Sequence, residues 1–345
     1  MVIPFAMTAI VNNAGAVPRL AVTNRASLRS ELPESYYRKI VGLPGVVAVN
    51  RMSWFGGIYD DVRHQFPSMA IDPDNPDVVW PEYALDHELV NRFKDTKNGA
   101  IVGVATMQRF RWRIGDEVAL HQPSMPLTLT FRILGTINKG PDLTIFLFRR
   151  DYLGDAMNHR GFTSMLWVRV ASIADASRLS GSIDEMFNNS SAETRTETEK
   201  EFMAQMIAKF SPIARIVQGI GLLAVLAMAL AVFNAASMTV RERTREIAVL
   251  RSLGFSSIQI LWESAIENGA MALLGGTIGV AVAAVVLGQV RGYVPSLGPL
   301  LSFGLPSPVI ATGLAMAVGV GLAAGIIPVI RATQSTVTEG LRRIA

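Results

Sequence analysis

The sequence MTVRERTREIAVLRSLGFSSIQ, residues 238–259, decides how the rest of this chain is arranged. It lies between two apolar stretches, Ile216–Met238 and Ile260–Gly288. A stretch of about 20 apolar residues is long enough to cross a bilayer as a helix. A short arginine-rich loop between two such stretches is retained on the cytoplasmic side. The pattern therefore predicts two membrane spans joined by a cytoplasmic loop.

The loop itself has the pattern of a short amphipathic helix. Ile247, Leu250 and Leu253 recur at helical spacing, with charged residues on the other face. Arg243 and Glu246 are spaced to form an ion pair on that polar face. An apolar stripe outside the membrane must pack against headgroups or another protein, which favours a docking element. The alternative is a solvated basic loop that only fixes the topology.

Signals for a turn and a new helix follow directly. Gly254 is suited to end the short helix, because glycine adopts the left-handed conformation without a Cβ penalty. Ser256 with Gln259 three residues later is a capping-box pattern, which starts the next helix. The loop is therefore predicted to be a helix, a tight turn and the start of the second span.

Residues 241–256, RERTREIAVLRSLGFS, resemble the cytoplasmic loop of the FtsX-like permeases, the membrane subunits of MacB-type (type VII) ABC transporters. Loops of that family read E-R-x-x-E-[IL]-A-x-[LM]-[RK]-x-[LI]-G. The resemblance implies a coupling helix that sits in a cleft of a separate cytoplasmic ATPase subunit. The ATPase-coupling residues implied by this match are Arg241, Glu242, Arg243, Glu246, Ile247, Leu250, Arg251 and Gly254.

The composition differs between the two parts of the chain. Its 345 residues suffice for about two domains. The region up to about residue 210 is mixed and polar, whereas the last third is apolar and accounts for the positive mean hydropathy of +0.33. The net charge of +4 is small and the arginines cluster at membrane edges, which argues against nucleic-acid binding. The absence of cysteine excludes disulfides, zinc–thiolate sites and cysteine nucleophiles.

The first 20 residues, MVIPFAMTAIVNNAGAVPRL, form a poor signal peptide and a poor transmembrane helix, because they are short and lack a basic start. The resemblance implies a transmembrane helix before the next domain. We therefore interpret residues 1–19 as a remnant or vestige of that first transmembrane helix. A misplaced start codon and a degraded anchor are alternative explanations.

Residues 20–192 are predicted to form one extracytoplasmic α+β domain, because strand-like and helical segments do not alternate regularly. Residues 35–50 (SYYRKIVGLPGVVAVN) and 99–120 (GAIVGVATMQRFRWRIGDEVAL) resemble segments of the MacB periplasmic core domain. The predicted strands are Gly45–Val49, Asp116–Leu120, Leu127–Thr136, Thr144–Phe148 and Met165–Val170, and the predicted helices are Glu34–Val41, Tyr83–Phe93 and Ile173–Phe187.

The remaining chain is predicted to run through the membrane three times. Its segments are a stalk helix at 193–212, transmembrane helices at 213–238, 258–288 and 308–330, the coupling loop at 239–257, an external loop at 289–307 and a cytoplasmic tail at 331–345. The two inner segments carry seven arginines and the external loop carries one, which sets the orientation. The fold class is therefore an α-helical membrane protein with an extracytoplasmic α+β domain, in the MacB/FtsX-like permease topology. Three transmembrane helices are evident, and the usual first one is truncated or missing.

Two sets of residues in the spans invite a structural role. Glu263 and Glu267 lie early in the second span, where a charge is either interfacial, in contact with the coupling helix, or buried between subunits. Small residues four apart let helix backbones approach closely in lipid. The predicted transmembrane packing residues are Gly275, Gly279, Gly321 and Gly325.

Motifs for chemistry on this chain are missing from its sequence. It contains no G-x-x-x-x-G-K-[ST] phosphate loop, so ATP and Mg²⁺ are expected on a partner ATPase. The four histidines have no metal-ligand spacing. Asp72, Asp74 and Asp77 resemble a calcium loop but are interrupted by prolines, which favours a turn cluster. We therefore expect no enzyme, no metal site and no cofactor on this chain.

The leading hypothesis is an ABC permease subunit in the bacterial inner membrane that uses mechanotransmission to export or extract a lipid, lipoprotein, peptide or drug. Its expected partners are the ATPase, a second permease chain (identical or different), membrane lipid and a periplasmic adaptor. The alternative is an FtsX-like signalling subunit that activates a periplasmic partner such as a cell-wall hydrolase. A third class, a membrane-anchored binding protein without an ATPase, would not need the coupling face.

Overall fold

The structure is a computed structural model. It describes residues 17–28, 30–61, 64–122, 125–158, 162–209, 211–293 and 306–334. They divide into an α+β unit up to residue 209 and a helical unit from Ser211 onward, each described by itself. The predicted fold class, an α+β domain with three helices long and apolar enough to span a membrane, is confirmed for these residues. The predicted remnant of a first helix falls almost entirely on residues 1–16, outside the described part.

A mixed sheet forms the centre of the α+β unit. The strands are β1 (Arg19–Asn24), β2 (Leu32–Pro33), β3 (Val46–Trp54), β4 (Ser68–Ile71), β5 (Gly99–Gly103), β6 (Glu117–Gln122), β7 (Leu127–Ile137), β8 (Phe146–Arg149), β9 (Phe162–Thr163), β10 (Met165–Val170) and β11 (Thr194–Thr198). Within the described residues, nine of them form one sheet in the order β11-β1-β10-β3-β4-β8-β5-β7-β6, and β2 pairs with β9. Neighbours in the large sheet are antiparallel except for the pairs β4–β8 and β5–β7.

Strand β10 shows why the middle of the sheet is so apolar. Leu166 and Val168 belong to the core on one face, and Met165 and Trp167 belong to the core on the other face. Because both faces are covered, the strand is apolar at nearly every position instead of alternating with polar residues. Its observed bounds equal those predicted from the sequence.

Helices cover the sheet on both sides. They are α1 (Glu34–Val41), α2 (Pro76–Val79), α3 (His87–Asp95), α4 (Val104–Phe110), α5 (Arg150–Met157), α6 (Ile173–Met186) and α7 (Glu199–Ala208). The ring of Tyr36 on α1 stacks on Phe187 at the end of α6, with 3.8 Å between the ring centroids. A second core is rich in aromatic rings, among them Phe131, Phe146 and Phe148 on β7 and β8.

The prediction of one continuous stalk helix over residues 193–212 is wrong. Its first part is β11, an edge strand paired with β1, and only α7 is helical before residue 209. The hydroxyl groups of Thr194 and Thr196 donate to Asp184 Oδ1 at 2.9 and 2.7 Å, and the Thr196 N–H donates to Oδ2 at 3.1 Å. These bonds hold the inward face of the strand in an extended conformation.

The helical unit contains α8 (Ser211–Glu242), α9 (Thr244–Ser252), α10 (Ser257–Tyr293) and α11 (Ser307–Gln334). The segments long and apolar enough to cross a membrane are Ala214–Glu242, Ser257–Gln289 and Ser307–Ile330, within a few residues of the predicted spans. With 37 residues, α10 is about 55 Å long at 1.5 Å per residue. It therefore exceeds the hydrocarbon core of a bilayer, which is about 30 Å thick.

Candidate functional site

The predicted coupling loop contains the short helix that its periodicity indicates. Helix α8 ends at Glu242, Arg243 takes the N-cap position, and α9 runs from Thr244 to Ser252. Glu246 in its first turn and Arg251 in its last turn are placed favourably for the helix dipole. The side chain of Arg245 lies outside the described residues.

The apolar stripe of α9 packs against the chain's own membrane helices. Ile247 is 9% exposed and forms a small core with Ile260 on α10 and Val329 on α11, and Leu250 packs against this core. Burying a side chain of this size contributes about 1.5–3 kcal/mol. Ile247 and Leu250, expected to face a partner, thus join α9 to two spans instead.

Helix α9 ends in a Schellman motif centred on Gly254. Gly254 has a φ of 96°, in the region that glycine adopts without strain. Its N–H donates to the carbonyl of Arg251 at 3.1 Å, and the N–H of Phe255 donates to the carbonyl of Leu250 at 3.1 Å. Both bonds satisfy carbonyls that the helix end would otherwise leave free. The prediction that Gly254 ends this helix is confirmed.

The start of α10 is the predicted capping box. The backbone N–H of Ser256 donates to Gln259 Oε1 at 2.8 Å, and the N–H of Gln259 lies 3.4 Å from Ser256 Oγ. These reciprocal bonds fix where α10 begins, with only four residues between it and the end of α9. The turn between the two helices is therefore held at both ends.

The tight turn exposes an apolar surface that shares only Leu253 with the predicted stripe. Leu253 is 71% exposed, and Phe255 and Val249 are each 48% exposed. Arg241, Glu242 and Glu246, which were predicted as coupling residues, are exposed on the same loop. We call Val249, Leu253 and Phe255 the outward face. Phe255 was missed because it lies outside the helical period, although its position directly after a left-handed glycine was a usable signal.

Arg243 forms an ion pair with the second span instead of with Glu246. Its Nη1 lies 3.0 Å from Glu267 Oε2, and both side chains are about half exposed. Glu267 lies ten residues after the start of α10, about 15 Å along the helix. The first turns of α10 therefore run beside the loop, and the pair favours the contact with the coupling segment among the alternatives left open for Glu267. Glu263 is exposed.

The two predicted glycine pairs differ in what surrounds them. A Cβ on Gly321 would lie 2.5 Å from the Cβ of Ala272, and one on Gly325 would lie 2.4 Å from Asn268 Nδ2. Both glycines of α11 therefore allow close contact with α10. Gly275 and Gly279 have no such neighbour within 4 Å in the part of the chain that the structure describes. For this second pair, the role in packing stays a prediction.

Of the predicted aspartate cluster, Asp72 is bound by two arginines. Asp72 Oδ2 accepts from Arg51 Nε at 2.7 Å, and its Oδ1 accepts from Arg150 Nε at 3.1 Å. Both carboxylate oxygens thus serve as structural acceptors in a largely buried ion cluster. Over the described ranges, no three His, Cys, Asp or Glu side chains are placed to hold a metal ion.

Comparisons with known proteins identify relatives of this chain. Residues 219–337 match the family described as FtsX-like permease C-terminal. The macrolide export ATP-binding/permease protein MacB of Nitrobacter winogradskyi is 28% identical over 193 residues, 50% of this chain and 27% of that protein. The ABC transporter permease YknZ of Bacillus subtilis is 29% identical over 143 residues, 41% of this chain and 32% of YknZ. This chain thus spans about a third or less of the length of these relatives.

Two solved structures are similar to the chain. The periplasmic region of MacB from Actinobacillus actinomycetemcomitans covers 59% of this chain and 97% of its own, with a TM-score of 0.43 and 11% identity. The extracellular domain of YknZ from Gram-positive bacteria covers 52% of this chain and 100% of its own, with a TM-score of 0.40 and 12% identity.

Proposed function

We propose that this chain, whose residues 219–337 match the FtsX-like permease C-terminal family, is the membrane subunit of an ABC transporter. ATP and Mg²⁺ would be bound by a cytoplasmic ATPase that works with this membrane part, and the 345 residues themselves contain no phosphate-binding loop. The chain would lie in the inner membrane with its α+β unit outside, next to a second permease chain. A periplasmic adaptor would be a further partner.

The outward face carries this proposal. Leu253 and Phe255 are large apolar side chains that the turn leaves exposed, and the same loop carries exposed charged side chains. Apolar anchors surrounded by polar groups are the usual composition of the energetically important centre of an interface. The Schellman turn and the capping box fix the backbone that carries these side chains before a partner binds, which lowers the entropy lost on binding.

The packing of α9 suggests how a movement of the ATPase would be transmitted to the spans. Ile247 on α9, Ile260 on α10 and Val329 on α11 share one core. Packed cores deform little, so a displacement of α9 would move the ends of both spans with it. In this mechanism the spans tilt and the α+β unit changes shape, which exports or extracts a substrate such as a lipid, lipoprotein, peptide or drug.

The test is to co-express the chain with a candidate ABC ATPase and to replace the outward face. The double variant Leu253→Ala, Phe255→Ala should weaken binding at least about tenfold, because truncating a buried interface anchor costs about 2 kcal/mol. The matched control is Leu223→Ala on α8, a leucine that is 67% exposed but in a membrane span. It should bind as the wild type does. Affinity is measured by co-purification and by the ATPase rate of the complex.

Equal binding by the double variant and the wild type would refute the outward face as the coupling site. If no ABC ATPase bound the wild-type chain, the transporter assignment would fail. Transport in proteoliposomes that is lost in the double variant would support a carrier, whereas ATPase coupling without any transported cargo would favour the signalling alternative.

A further inference from the structure

Arg19, the first residue of β1, is 4% exposed and is shared between two carboxylates. Its Nη2 donates to Glu82 Oε1 at 2.6 Å and to Glu199 Oε1 at 2.7 Å. Its Nε donates to Glu199 Oε2 at 3.1 Å, and its Nη1 donates to the carbonyl of Val79 at 2.5 Å. Glu82 belongs to the body of the domain, whereas Glu199 is the first residue of α7. One guanidinium thus joins α7 to the sheet.

Apart from this guanidinium, α7 is attached through Phe202 and Met203, which are partly buried against the core of the domain. The ring of Phe202 meets Trp167 edge-on, with 5.8 Å between centroids, and Gln205 donates to Glu197. None of the ten residues of α7 is buried. By contrast, the preceding strand β11 is paired with β1 along its whole length. The helix is therefore held much less firmly than the strand before it.

Arg19 would keep hydrogen-bond acceptors if α7 detached from the sheet. Removing one member of a buried ion pair is usually costly, because it leaves a buried charge without compensation. Here Glu82 and the Val79 carbonyl would remain. Moreover, Glu82 Oε2 is buried and has no hydrogen-bond partner within the described residues, so it is available to accept the N–H that Glu199 would release. The cluster holds two carboxylates for one guanidinium, and one of them is in excess.

We propose that Arg19 is a catch with two alternative partners, from which α7 detaches as a unit while β11 stays in the sheet and Glu82 takes over the guanidinium. Only two residues separate the end of α7 from the start of α8, so a displacement of α8 reaches α7 first. The detachment follows from the geometry of the α+β unit alone. Its use in transport rests on the proposed function.

Hydrogen exchange of the full chain in lipid nanodiscs tests the catch, read separately over α7, β11 and β10. Glu199→Gln should speed exchange of the α7 amides at least about tenfold, which corresponds to about 1.4 kcal/mol, since a charge-assisted hydrogen bond contributes at least that much. Glu82→Gln should slow exchange of the α7 amides, because this variant removes the charge that competes for Arg19 and that stabilises the detached state. Exchange in β11 and β10 should stay unchanged in both variants.

Glu193→Gln is the matched control, because Glu193 pairs with Arg25 on the exposed surface, 3.3 Å away. It should leave α7 exchange at the wild-type rate. The proposal is refuted if Glu199→Gln and Glu82→Gln change the exchange rate of the α7 amides in the same direction. It is also refuted if the amides of α7 and β11 exchange at one common rate in the wild type. No ATPase is present in this experiment, so its outcome is independent of the ATPase-binding test.

Discussion

Asp142 lies in the loop between β7 and β8, where its surroundings disfavour the charged form of its carboxyl group. Burial raises the pKa of Asp142 above its usual value, and the hydrogen bonds from Thr144 oppose this shift without cancelling it. The N–H and the hydroxyl of Thr144 donate to Asp142 Oδ1 at 2.8 and 2.6 Å. An asparagine would keep that acceptor oxygen and remove only the charge. The position therefore separates the effect of the charge from the effect of the hydrogen bonds.

Asp142→Asn should stabilise the protein at neutral pH. Because the folded pKa is raised, the proton on Asp142 stabilises the fold fully below the unfolded pKa, about 3.9, and this stability is lost as the pH rises through the folded pKa. The uncharged variant avoids that loss. Its Tm should exceed that of the wild type by about 2–4 °C for each kcal/mol gained at pH 7, and the two should converge near pH 4. A Tm difference independent of pH would contradict the role of the charge.

At the scale of elements, replacing a glycine by alanine is expected to have opposite effects on α11 and on α10. Gly321→Ala should destabilise the contact between α11 and α10 by about 1–3 kcal/mol, because the new Cβ would lie 2.5 Å from the Cβ of Ala272. Gly275→Ala should be neutral or slightly stabilising, since alanine favours the helix and nothing lies within 4 Å in the described chain. Thermal unfolding of the purified protein in detergent compares the two.

A large loss of stability in Gly275→Ala would show that this face is covered in the assembled protein. The same measurement in a reconstituted bilayer would then separate a second protein chain from lipid, because only a protein contact depends on protein concentration.

The elements that the sequence predicts well are those with a strong local period. Helix α1 and strand β10 have the bounds that their patterns indicate. Strand β11 was missed because its inward residues are threonines and its outward residues are charged. Its sequence therefore has no apolar alternation that would indicate a strand. Its alternation of Thr with Arg or Glu has a period of two, but the partner that explains it, Asp184, comes from a different element.

The coupling loop was predictable in its helix, its glycine and its capping box, but the direction of its apolar stripe was not. Periodicity shows that Ile247 and Leu250 share a face, and it does not show what covers that face. The residues that cover this face include Val329, which is remote in the sequence and belongs to the last span. Long-range packing of this kind leaves no local trace in a single sequence.

At the scale of the whole molecule, the chain contains no cysteine, which makes its topology simple to measure. Ser177→Cys on α6 and Ser252→Cys on α9 both introduce a thiol at an exposed position. A membrane-impermeant maleimide added to intact spheroplasts should label the first variant and not the second. After permeabilisation both should react. Labelling of Ser252→Cys from outside would invert the topology and remove the ATPase site with it.

The length of α10 has a mechanical consequence. About 25 Å of this 37-residue helix exceeds the thickness of the hydrocarbon core, and its first ten residues run beside the loop up to the Arg243–Glu267 pair. In the proposed mechanism, a sideways push on the cytoplasmic end of this helix would produce a torque about the part that lies in the bilayer. A small shift at that end would then rotate the whole helix, and its other end would move in the opposite direction.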